Sequence, residues 1–130
     1  MEFLGNKDLL QKRKVGFLAS RKIPTLSVLP TLDWAMAISA KSDIAVVSGF
    51  QSRLEKEVLN ILLKGKCGII LILARGMYRK LPQQFEQVME EQRLLILSYE
   101  NPNVTRVSEV TAHKRNERVR ELSDSLKEVR

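Results

Sequence analysis

Four short apolar runs constrain this chain more than any other feature. They lie at residues 15–19, 44–47, 69–73 and 94–97, and a stretch with helical spacing follows each. Each run is continuously rich in Val, Ile and Leu and does not alternate, which is the pattern of a strand buried on both faces. Strand–helix repetition of this kind builds a parallel sheet with crossover helices. An α/β three-layer domain follows, with a mostly parallel sheet of four or five strands. The 130 residues suit one domain, with 1–14 as an N-terminal arm. Such sheets take ligands beyond the carboxyl ends of their strands. That edge would carry Ser20, Arg21, Ser48, Gly49, Gln51, Arg75, Gly76 and Tyr78.

The stretches between the runs read as helices. Pro30 suits a first helical position, and the helix then continues to about Lys41. Leu32, Trp34, Ala35, Met36, Ile38 and Ala40 make it apolar nearly all round, so it should be well buried. Trp34 and Ile38 share a face as core residues. A second helix starts near Arg53 and buries Leu54, Val58, Ile61 and Leu62. Glu55 and Glu57 complement its dipole, and Lys64-Gly65-Lys66 ends it, with Gly65 in a left-handed stop. A third helix opens at Pro82 and points Phe85, Val88 and Met89 inward. A last helix runs from about Glu109 toward the C-terminus, with Ala112, Asn116, Val119, Leu122 and Leu126 on a thin apolar face. No strand is read after it, so the sheet is small, or a partner chain covers its exposed side, or the chain is shortened.

Composition narrows the function classes. No run approaches the ~18 apolar residues of a membrane span. Residues 1–14 are mixed and charged and lack an apolar signal core, so a cytoplasmic location is expected. Cys67 is the only cysteine and reads as a buried structural thiol; His113 is the only histidine. A zinc site or a Cys/His dyad therefore finds no support, and no metal or cofactor is expected. The net charge of +7 is uneven: residues 1–22 carry six basic and two acidic groups, and 23–103 are close to neutral. A basic excess favours polyanions through long-range attraction.

The chemistry at the predicted edge is that of anion binding. Ser48-Gly49 leads into a helix start, where free backbone N–H groups, a positive dipole and a residue without a side chain suit a phosphate. Arg21, Arg53 and Arg75 could add charge from neighbouring loops. Neither a Gly-x-Gly-x-x-Gly nor a Gly-Lys-Ser/Thr pattern follows any strand, which excludes the common dinucleotide and triphosphate loops. No paired carboxylate and no base accompany Ser48, so the site reads as binding rather than catalytic. Lys114-Arg115-Asn116, with Arg118 and Arg120 behind, could meet phosphates without regard to sequence. Interleaved Glu117, Glu121 and Asp124 equally suit a solvated, ion-paired helix.

Several of these residues stand together in one family. Phe3-Leu4-Gly5-Asn6, Ser20-Arg21 after the first run, Ser48-Gly49 after the second, the loop at 75–82 and Arg115-Asn116 resemble the DNA-processing protein A (DprA) family over residues 3–123. Ala19 stands where the family has Gly, and Gln51, Arg53, Glu55 and Leu59 replace its small residue, second Gly, Asp and His. The resemblance implies a Rossmann-like core in a short, divergent relative that binds single-stranded DNA. The expectation is a non-catalytic DNA-binding protein, with phosphates at Ser20, Arg21, Ser48, Gly49, Gln51, Arg53, Arg75, Gly76, Lys114, Arg115 and Asn116. Two alternatives stand beside it. One is a nucleotide-binding or nucleotide-sensing protein of the same fold group. The other is an interaction module that completes its sheet with a partner chain or as a homodimer.

Overall fold

The computed structural model describes residues 1–130. Six strands form one sheet: β1 (Glu2–Gly5), β2 (Arg13–Ala19), β3 (Ile44–Ser48), β4 (Gly68–Leu73), β5 (Leu94–Ser98) and β6 (Ser125–Val129). Four helices accompany them: α1 (Val28–Ser39), α2 (Arg53–Leu63), α3 (Glu86–Glu90) and α4 (Glu109–Leu122). The spatial order is β1-β5-β4-β3-β2-β6. Only the β1–β5 pair is antiparallel. The four central strands are the four apolar runs.

Register explains why those runs do not alternate. Val15, Val46, Ile69 and Leu94 line up across β2 to β5 and face a core shared with Ala35, Ile38, Val58, Leu62, Phe85 and Val88 of the helical side. Their neighbours Val47, Ile70 and Leu95 face a second core closed by Val119 of α4 and by Leu9 of a 3-10 turn at Lys7–Gln11. Both faces are therefore covered. Each such buried side chain contributes roughly 1.5–3 kcal/mol. Phe17 stacks on Trp34 at 5.3 Å, so Trp34 belongs to the core as read.

The two edges correct the expected four or five strands to six. Within the expected N-terminal arm, Glu2–Gly5 is a strand of the sheet and pairs with β5, Phe3 opposite Leu97. The last helix stops at Leu122, and Ser125–Val129 returns beside β2 as a parallel strand. Ser123 stops the helix by donating its hydroxyl to the Val119 carbonyl (2.6 Å). Asp124 then exchanges two bonds with Lys14: its N–H donates to the Lys14 carbonyl (2.8 Å), and its carboxylate accepts the Lys14 N–H (2.8 Å).

Four helix expectations also change. The first helix begins at Val28, so Pro30 sits within the first turn, where its missing N–H costs nothing. That helix buries only one side; Leu29 and Met36 remain exposed. The third is a 3-10 turn at Gln83–Phe85 followed by five α-helical residues. At the end of α2, Gly65 is not left-handed. It is glycine because the Ser39 carbonyl occupies the space a Cβ would need. The α2 carbonyls are capped instead by Arg93, whose guanidinium donates to Leu62 (3.3 Å), Leu63 (2.9 Å) and Cys67 (2.7 Å). Cys67 is buried there, and desolvation pushes its thiol up to about 11.

Candidate functional site

Chain direction across the sheet reverses between β2 and β6. From β2 the strands march outward to β5; α4 then carries the chain back across the opposite face to β6. A crevice forms at such a reversal, outside the carboxyl ends of the strands. Here it is bordered by Ala19 at the end of β2, Ser20 after it, Val129 of β6, and Asn116 and Arg120 of α4, with a volume of about 360 Å³.

Glu55 organises the same edge from inside. It is 4% exposed, and its carboxylate accepts the N–H groups of Ala19 (2.9 Å), Gln51 (2.8 Å) and Ser52 (3.0 Å). Ser52 in return accepts the Glu55 N–H, closing a capping box. The N-terminus of α2 thus already holds an anion, and that anion is internal. This corrects the expected phosphate seat on free amides. Ser52-x-x-Glu55 is the sequence signature of such a box, and it was the signal available for finding this residue.

Gly49 has a different role from the one expected. The Arg115 guanidinium lies directly on it, in the space a Cβ would fill. Ser48 is fully buried, and its hydroxyl accepts the Phe50 N–H (3.1 Å). That bond holds Phe50 in left-handed backbone, φ 48°. The conformation costs about 1–2 kcal/mol, and burial of the ring offsets it at roughly 1.5–3 kcal/mol. Ser48 and Gly49 therefore shape the edge without presenting themselves to a ligand. Gly76 is likewise buried, against the Asn101–Pro102 backbone.

Arg115 is the centre of what remains. It reaches inward from α4 and is 6% exposed. Its Nε donates to Asn116 Oδ1 (2.8 Å), while its Nη1 has no hydrogen-bond partner. Burial lowers its pKa from the ordinary value, and the charge of Glu55 works in the opposite direction. An unpaired N–H on a buried guanidinium is costly.

Three grooves meet at this side chain. The first, about 630 Å³, brings together Arg21, Gln51, Arg53, Arg115 and Asn116. Arg53 points out of it, 94% exposed and 3.7 Å from Glu57. The second, about 460 Å³, lies toward α3 and is walled by Phe50, Tyr78, Phe85, Gln51, Lys56 and Arg75. Arg75 is held there by its carbonyl, which accepts the Ser98 hydroxyl (2.6 Å), and its guanidinium lies 5.4 Å from the Tyr78 ring. The third, about 450 Å³, is on the far face of the sheet and takes Lys114, with Arg118 lying 4.4 Å over the Tyr99 ring. Lys56, Asn60 and Gln84 of the second groove had no motif to announce them. No cluster of three His, Cys, Asp or Glu side chains is placed to hold a metal ion, and no helix is long and apolar enough to cross a membrane.

Residues 2–128 match the family model of DNA recombination-mediator protein A. The chain belongs to that family. The match takes in β1 to β5 and all but the last residue of β6. Solved structures share this fold, among them two DNA processing proteins A. DNA processing protein A from Streptococcus pneumoniae superposes with a TM-score of 0.74 at 18% identity, over 98% of this chain and 44% of that one. DNA processing protein A from Helicobacter pylori, described for its single-stranded DNA binding mode, gives 0.73 at 22% identity, over 97% of this chain and 58% of that one. The chain thus spans about half the length of these structures. A comparison with curated proteins found no match.

Proposed function

We propose that this chain binds single-stranded DNA without catalysis, through side-chain cations at the carboxyl edge of the sheet. The observation that carries this reading is Arg115, buried among three grooves with an unpaired N–H. Family membership and the single-stranded DNA binding named for the Helicobacter pylori protein support it. Arg21, Arg53, Arg75 and Lys114 would hold successive phosphates, with Ser20, Gln51 and Asn116 as neutral partners. Phosphate contacts of this kind position a strand and carry no sequence information. Stacking is limited: Phe50 and Phe85 are buried, leaving Tyr78 and Tyr99 partly open. Affinity would therefore come mainly from charge. Absence of catalysis fits a site whose central carboxylate, Glu55, is committed to backbone N–H groups.

A second reading is a free nucleotide in the second groove, where the Gln51, Asn60 and Gln84 side chains lie beside Tyr78. Its volume is in the range of small-ligand sites, roughly 300–1,000 Å³. Fluorescence anisotropy with labelled oligo-dT, a duplex and a nucleoside monophosphate, at two salt concentrations, separates the two. Oligo-dT binding that weakens with salt and falls in Arg21→Ala and Arg115→Lys supports the first. Nucleotide binding with no response to either DNA supports the second. No salt-dependent binding of any of the three overturns both.

A further inference from the structure

The outer face of α1 is apolar and has no partner within the fold. Leu26, Leu29 and Met36 are 90%, 72% and 63% exposed. Leu26 stands in a 3-10 turn (Thr25–Ser27) that runs directly into α1, and Ala40 caps the end of α1; with Asp33, also exposed, the five recur at intervals of three and four residues. This is the a/d spacing of a helix–helix seam, about 20 Å long at 1.5 Å per residue. Single exposed apolar side chains need no explanation, but a line of them, interrupted only by Asp33, marks an interaction surface.

The surroundings of this line are basic. At its start a shallow groove of about 250 Å³ is floored by Ile23, Val28 and Leu54 and rimmed by Arg21 and Arg53. Lys22 adjoins that end and Lys41 the other. On one flank, the Lys127 ammonium lies 5.9 Å over the Trp34 ring. The acidic groups nearby are Asp33 within the seam, Glu57 beside Arg53, and Asp43.

We propose that this face docks an amphipathic helix of another protein, with apolar residues along its seam and acidic residues on its flanks. The heptad spacing selects a helix as the occupant. Asp33 at an a position argues against a lipid surface, because a carboxylate would be pressed into the apolar layer. A polar a position sets register and asks for a cation opposite it. Charge argues against a second copy. Antiparallel pairing of α1 with itself sets Arg21 and Lys22 against Lys41, and parallel pairing sets each cation against its own image. Each chain also carries +7. An acidic partner turns all of these repulsions into attraction. The proposal does not depend on the DNA-binding reading.

The test uses the whole chain and a labelled synthetic helix of about three heptads. The helix carries Leu at a and d, one central Lys at a, and Glu at e and g; a control carries Lys at e and g. Saturable binding of the Glu peptide is expected, weakening with salt, with the control about tenfold weaker or more, a difference in binding free energy of at least 1.4 kcal/mol. Leu29→Ser combined with Met36→Ser should lower the affinity by a similar factor while the thermal unfolding curve stays in place. Asp33→Lys should prefer a peptide whose central a residue is Glu. Equal binding of the two peptides, or no binding at concentrations on the order of 1 mM, overturns the proposal. So does a dimer in sedimentation that Met36→Glu dissolves, which would identify a second copy. Cosedimentation with anionic vesicles that Leu26→Ser and Leu29→Ser abolish would overturn it in favour of a lipid surface.

Discussion

A methyl group at position 49 would meet the Arg115 guanidinium and push it toward the grooves around it, at the expense of its bond to Asn116. Gly49→Ala should therefore destabilise the protein by about 1–3 kcal/mol. Much of that cost should vanish in an Arg115→Ala background, because the added methyl then fills vacated space. A double-mutant cycle by urea denaturation checks this, with an expected coupling of about 0.5–3 kcal/mol; simple additivity would show that the two residues do not press on each other. Glu55 permits a second prediction. Glu55→Ala leaves the N–H groups of Ala19, Gln51 and Ser52 without their acceptor. The loss should be about 1–3 kcal/mol, since the Ala19 N–H is buried and a buried donor left unpaired costs that much, whereas water can reach the donors of Gln51 and Ser52. Glu55→Gln, which keeps one carbonyl oxygen, should lose less in the same denaturation series.

At the scale of elements, the attachment of β6 depends on charge. The Asp124 carboxyl is held below its ordinary pKa, first by the Lys14 N–H it accepts and then by the Lys14 charge. Glu128 is held down as well, chiefly by its bond from Arg130 and by the charge of Arg120. A carboxyl depressed in the folded state stabilises it above the ordinary value, about pH 4, and that stabilisation is lost as pH falls through the depressed one. Melting temperatures measured over an acid pH series should thus fall more steeply in the parent protein than in Asp124→Asn. Coincident curves would exclude Asp124 as the contributor. The same region shows why an edge strand was hard to read. Residues 125–129 carry only Leu126 and Val129 as apolar groups, and Leu126 falls in helical register with Val119 and Leu122. Nothing local breaks that register except Ser123 and Asp124, whose bonds reach back to Val119 and across to Lys14. The α1 face was misread for a related reason: apolarity all round states that burial is wanted without saying which partner supplies it.

For the molecule as a whole, the question is where the +7 lies. Lys64 and Lys66 sit at the amino end of β4, whereas Arg21, Arg53, Arg75 and Arg115 gather at the carboxyl end of the sheet. If the carboxyl edge is the DNA site, each phosphate contact adds about −0.7 to the slope of log affinity against log salt. Arg21→Ala should flatten that slope by about 0.7, and Lys66→Ala should leave it unchanged. Anisotropy titrations with oligo-dT over a range of salt give both slopes, and equal effects would place the binding surface elsewhere. The sequence alone determined the parallel sheet, because four unbroken Val/Ile/Leu runs can be buried on both faces in few other ways. It also determined which edge to examine, because crossover connections leave the loops after the strands on one side. It could not decide what occupies that edge. Glu55 reaches Ala19 from 36 positions away, and Arg115 lies on Gly49 from another face of the sheet. Those two contacts turn an expected seat of open amides into a closed one with a guanidinium above it. Only the packing of α2 and α4 around the strand ends brings them together.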